Sequence, residues 1–328
     1  MADAVAVDSW SAQGVRLSDI VGALADLRDQ SSHHASSSRT AVMTIVAVAP
    51  GDEQAYAATG ALRSLAGHHP SRIVLLRPDP DQVASLDGRA TLYSLDGDNH
   101  KVNFEEVAIE VGGQAANHLD SLVEAFTLSD LPVAVWYVSS LPDPSDPLLA
   151  VADVVLVDSR DAEDLLGLRG LLQLARRRTV VDLSWTRLKP WRELGAALFE
   201  PADHRSWLGS LEHIEVSGKA GPRALTGGWL AERTGLASGN VTLLDARHVS
   251  FKLTCTRDGK DATFAVERDD DRRRVRAEGR LPDGTTSTIT AELPEDSLAA
   301  ALAGALTRLG PDPVWEAALS AATSLRDD

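Results

Sequence analysis

One cysteine, Cys255, stands in 328 residues. A single thiol excludes a disulfide within the chain and any multi-thiolate zinc site, and it fits a reducing compartment. Basic residues are also scarce: 32 Lys and Arg face 48 Asp and Glu, for a net charge of −16 with His neutral. That averaged field repels a phosphate backbone, so no nucleic-acid partner is expected. The longest near-continuous apolar run, residues 41–49, is too short to cross a bilayer, and no membrane partner is expected either. The start, Met1-Ala2-Asp3-Ala4, lacks the basic region of a secretory signal, and the chain reads as soluble and cytoplasmic.

Common catalytic motifs are missing too. There is no G-x-x-x-x-G-K-[ST] loop, no G-x-S-x-G elbow and no H-E-x-x-H pair. A dinucleotide fingerprint needs glycines directly after the first strand. Here that strand runs into Pro50-Gly51-Asp52-Glu53, whose carboxylates repel a pyrophosphate. No cofactor and no metal is expected. His33 and His34 lie in the small polar stretch 30–38 (QSSHHASSS) without carboxylate or thiol companions, so they read as linker.

What remains is an ordinary globular composition, 44% hydrophobic, long enough for about two domains at roughly 150 residues each. Leu17, Ile20, Val21, Leu24 and Leu27 recur at helical spacing, so residues 1–40 are read as one amphipathic helix and a flexible linker. Residues 41–208 carry short apolar runs at 41–49, 72–77, 132–138, 154–158 and 179–183, separated by helical segments. This is the grammar of a doubly wound, mostly parallel, Rossmann-like α/β sheet. A hairpin is expected inside it over 91–111, turning at Asp96-Gly97-Asp98-Asn99.

From 209 to 328 the pattern changes. Phe251, Leu253 and Cys255 alternate with polar residues, and Asp258-Gly259 and Asp283-Gly284 supply tight turns. A smaller α+β domain with an antiparallel meander is expected. It closes on a helix striped by Leu298, Leu302, Leu306 and Leu309 and stopped by Gly310. A short helix capped by Asp312-Pro313 and anchored by Trp315 and Leu319 follows.

The most informative segment is Asp182-Leu183-Ser184-Trp185-Thr186-Arg187 with Pro190-Trp191-Arg192-Glu193, at the carboxyl end of a strand. Trp and Arg dominate binding hot spots, so Trp185, Arg187, Trp191 and Arg192 are candidates for contact with a partner or ligand. The alternative makes Trp185 and Trp191 core anchors and pairs Arg187 with Asp182 or Asp158. A small-molecule site on the same edge would converge Asp158, Ser159, Asp182, Ser184 and Arg187 on a sugar phosphate. Pro70, Ser71 and Arg72 sit at the amino end of the second strand, the wrong end for a ligand in an open parallel sheet, and are read as structural. Gly112-Gly113 reads as a βα turn, with an anion cradle as the alternative. Cys255 is expected to be an inert buried thiol.

Together HHPSRIVLL (68–76), LSDLPVAVWY (128–137), DLSWTRLKPWRE (182–193) and GGWLAER (227–233) resemble the OpcA family of glucose-6-phosphate dehydrogenase assembly proteins, in order and spacing, from about residue 39 to 319. The resemblance implies a non-catalytic protein that binds that dehydrogenase and promotes its active oligomer, and so supports NADPH supply. The family often continues its strand as Trp-Trp-Pro where this chain has Trp136-Tyr137-Val138, and Trp136 joins the candidate contacts on that account. Some members are associated with thiol-dependent redox control, which an internal disulfide cannot provide here.

Overall fold

The computed structural model describes residues 5–32, 41–66, 69–96, 101–128, 130–162, 164–269 and 273–326. Residues 30–32 of the expected linker belong to a helix that ends at Ser32, while residues 33–38 with His33 and His34, the tip of the 91–111 hairpin and residues 270–272 lie outside the described residues. The chain divides into two units. One comprises residues 1–157, 178–180 and 306–309, the other 158–177, 181–305 and 310–328. The change of grammar at residue 209 falls inside the second unit.

The first unit opens with β1 (Val5–Ala12) and α1 (Leu17–Ser32). Next come β2 (Thr44–Val48), α2 (Asp52–Leu65), β3 (Arg72–Asp79), β4 (Leu86–Asp96), β5 (Lys101–Gly112), α3 (Leu119–Glu124), β6 (Val133–Tyr137) and β7 (Val154–Val157). β2, β6 and β7 are buried at every residue, as strands covered on both faces must be. After α4 (Leu165–Ala175), β8 (Thr179–Asp182) completes a sheet ordered β1-β4-β5-β3-β2-β6-β7-β8.

Counting its last six members along the chain gives 3-2-1-4-5-6, the Rossmann order. β1 and β4 extend this core on one side and pair antiparallel, while β3, β2, β6 and β7 run parallel. β1 corrects the reading of residues 1–40 as helix and linker alone. Its residues are mostly exposed, so hydrogen bonding to β4 rather than apolar alternation makes it a strand.

Two sequence readings of this unit resolve locally. Ser71 Oγ donates to the His69 carbonyl at 3.0 Å, and Arg72 reaches Glu105 at 3.0 Å and the Phe126 carbonyl at 2.8 Å. The Pro70-Ser71-Arg72 segment thus ties strand ends together. Gly113 has φ +69°, and a Cβ on Gly112 would lie 2.4 Å from the Val83 carbonyl oxygen. Residues 83–84 fill the space an anion would need, so the pair serves as a tight turn.

The second unit holds α4, the end of β8, α5 (Leu183–Arg187), α6 (Lys189–Ala197), α7 (Ala202–Arg205), β9 (Leu211–Gly218), α8 (Ala220–Thr234) and β10 (Val241–Asp245). The meander follows as β11 (Ser250–Arg257), β12 (Lys260–Arg268), β13 (Arg274–Arg280) and β14 (Thr286–Glu292), then α9 (Leu298–Leu306) and α10 (Pro313–Ala322). Its sheet, ordered β10-β9-β11-β12-β13-β14, is antiparallel except for β10 on β9. The β11 alternation buries Phe251, Leu253 and Cys255, as expected. α9 stops at Leu306, short of the expected Leu309-Gly310 end.

Candidate functional site

Asp182 ends β8 and caps α5. Its Oδ1 accepts the Ser184 amide at 2.9 Å and the Ser159 amide at 3.0 Å, and its Oδ2 accepts Trp315 Nε1 at 3.2 Å. One carboxylate therefore joins three segments that the sequence keeps far apart. Asp158 caps the short turn over 159–161 in the same way. Its Oδ1 accepts Ser184 Oγ at 2.5 Å and the Arg160 amide at 3.2 Å, and its Oδ2 takes Arg187 Nη1 at 2.5 Å. Side-chain exposures of 16% for Arg187 and 11% for Asp158 make this a largely desolvated pair.

Burial, reinforced by the Asp158 charge, pushes Asp182 up to about 6, and the same two causes raise Asp161 to about 6. Asp158 is hydrogen-bonded by Ser184 Oγ and Arg187 Nη1, and Asp182 by two backbone amides and Trp315, which leaves Arg187 Nε as the one buried polar atom among these four side chains without an acceptor. Asp158, Ser184 and Arg187 do come together as the small-molecule reading required, but their hydrogen bonds point inward. The alternative pairing of Arg187 with Asp158 is the one observed.

The aromatic candidates follow the same logic. Trp185 is 6% and Trp191 8% exposed, which corrects the expectation that both offer broad contact surface. Trp185 Nε1 donates to Asp312 Oδ2 at 2.9 Å, and Asp312 Oδ1 caps α10 through the Val314 and Trp315 amides. Arg192 lies 3.5 Å over the Trp185 ring and donates to the Trp185 carbonyl at 2.5 Å, and burial lowers its guanidinium to about 10. Trp191 Nε1 donates to the Val249 carbonyl at 2.9 Å. Trp136 is 1% exposed in β6 of the other unit and is part of that core.

Open α/β sheets bind ligands where the strand order reverses, here between β2 and β6, whereas β8 lies at the sheet's edge. At the reversal, Asp52 opens α2 and pairs with Arg77, which also holds Glu110 at 2.5 Å. This carboxylate-rich corner is hostile to a pyrophosphate, as the Pro50-Gly51-Asp52-Glu53 sequence predicts.

Two cavities flank these features. One of about 320 Å³ in the first unit contains Arg28, Arg72 and Glu105, which pair with one another. The other, about 270 Å³ in the second unit, is reached by Ser184, Arg187 and Trp191 and by the start of α8. Sequence reading missed its basic members Arg160, Lys219, Arg247 and Arg268, which come from four separate segments. It also missed the reach of Asp312 and Trp315 into the β8 edge. Among the described residues no group of His, Cys, Asp and Glu is arranged to hold a metal, and no helix is long and apolar enough to cross a membrane.

Fold and site define a two-unit α/β protein with a Rossmann-order sheet in one unit and a self-paired carboxylate cluster beside a basic cavity in the other. Residues 62–176 match the family model described as glucose-6-phosphate dehydrogenase subunit N-terminal domain, and residues 178–319 match the corresponding C-terminal domain. The chain belongs to the OpcA family. It is 28% identical over 189 residues to an OxPP cycle protein OpcA of Synechocystis sp., covering 53% of this chain and 39% of that protein. It is 25% identical over 183 residues to the OpcA of Nostoc punctiforme, covering 52% and 39%. The chain thus spans about two-fifths of the length of these relatives.

Proposed function

We propose that the protein is a non-catalytic, cytoplasmic assembly factor that binds glucose-6-phosphate dehydrogenase and promotes its active oligomer in the oxidative pentose phosphate pathway. The observation that carries this reading is the match of both halves, over 62–319, to domains described as subunits of that dehydrogenase. The β8 edge supports it, since Asp158, Asp182, Ser184 and Arg187 Nη1 are held in hydrogen bonds within the protein.

The test is a titration of the organism's own dehydrogenase with this protein, following NADPH formation and sedimentation together. A larger oligomer with higher activity is expected. Unchanged size and unchanged activity would overturn the assembly reading. Reduction of NADP by the purified protein alone would overturn its non-catalytic part.

A further inference from the structure

The cavity of the second unit runs against the charge of the chain. Lys and Arg are 32 of 328 residues overall but five of the fifteen that line this space. Arg187 is held by Asp158, and Arg160 lies 3.7 Å from Asp296. Arg268 Nη1 lies 3.1 Å from His248 Nδ1, and Glu295 also reaches the space. Among the described residues, the exposed side chains of Lys219 and Arg247 have neither an ion-pair nor a hydrogen-bond partner. Arg187 Nε is buried and accepted by nothing.

Lys219 is also the N-cap of the 15-residue helix α8, contributes no capping hydrogen bond, and sets a positive charge at the positive end of the helix dipole. That placement is unfavourable in an empty site and favourable beside an anion. At about 270 Å³ the space is of the size that holds a small ligand. Glu295 and Asp296 add acceptors that a bare anion does not use and hydroxyl groups do.

We propose that this cavity binds a phosphate ester of a small polyhydroxylated metabolite, with Lys219 and Arg247 as its principal phosphate ligands. The proposal stands apart from the dehydrogenase reading, because it needs no partner protein.

It is tested on the full chain by calorimetry and thermal shift, with a hexose phosphate, the free hexose and inorganic phosphate as probes. The hexose phosphate should bind and raise Tm, and the free hexose should do neither. In a Lys219→Ala/Arg247→Ala variant its affinity should fall by about tenfold or more, since two charge-assisted contacts are lost. Lys219→Ala alone should also weaken binding, whereas Lys252→Ala, the same change of charge at an exposed position on β11, should leave affinity unchanged. Without ligand, Lys219→Ala should not lower Tm, because it removes a cation from a helix start. Absence of hexose phosphate binding, equal affinity in the double variant, or equal affinity for inorganic phosphate would overturn the proposal.

Discussion

Removing Arg187 is the sharpest perturbation of the β8 edge. The Arg187–Asp158 contact of 2.5 Å joins side chains only 16% and 11% exposed, and Asp182 lies close enough for its charge to be felt. Breaking a buried pair by deleting one partner costs about 3–5 kcal/mol, and the residual exposure here points to the lower end, about 3 kcal/mol. Arg187→Met should therefore destabilise by about that much near neutral pH, and Arg187→Met/Asp158→Asn should recover most of the loss.

The deficit also has a pH signature. Without the guanidinium, whose charge helps hold Asp161 down, the folded-state pKa of Asp161 rises further above the unfolded value of about 3.9. The folded state then binds more protons than the unfolded state, so stability returns as pH falls through that window. Urea unfolding followed by Trp fluorescence reads the site directly, because Trp185, Trp191 and Trp315 are built into it. A single variant within about 0.5 kcal/mol of the parent near neutral pH would refute the reasoning, as would a double variant no better than the single.

Asp161, raised to about 6 chiefly by burial, costs stability above that pH and nothing below about 4. Asp161→Asn should therefore stabilise near neutral pH, by at most about 1 kcal/mol after solvent screening, and have no effect near pH 4 in the same urea titrations. A Cβ on Gly221 would lie 1.8 Å from the Ser159 carbonyl oxygen, so Gly221→Ala should lower stability by about 3 kcal/mol in thermal melts. Burial pushes the Cys255 thiol up to about 11, so an aromatic disulfide reagent should label it in urea but not in the native protein, and oxidant should leave dehydrogenase stimulation unchanged.

Strands buried on both faces were legible in the sequence because nothing but burial decides them: β2, β6 and β7 read as unbroken apolar runs. β1 was not, since its residues are mostly exposed and its identity comes from pairing with β4. α8 was hidden by its own composition. Gly221, Pro222, Gly227 and Gly228 have low helix propensity, yet every residue from Gly221 to Ala231 is buried, so packing overrides propensity. Trp185, Arg187, Trp191 and Arg192 stood out as a cluster, but whether their side chains face a partner or one another depends on Asp158, Asp312 and Val249. Arg160, Lys219, Arg247 and Arg268 were not legible as a group because they come from four separate segments.

The two longest links in the β8 edge, Trp185 to Asp312 and Asp182 to Trp315, span 127 and 133 residues. At a ribosomal rate of about 5–20 residues per second, α10 emerges roughly 6–27 s after the segment it completes. Until then neither Trp185 Nε1 nor Asp182 Oδ2 has the partner it holds in the folded protein, so the β8 edge is completed only after the last helix has been made.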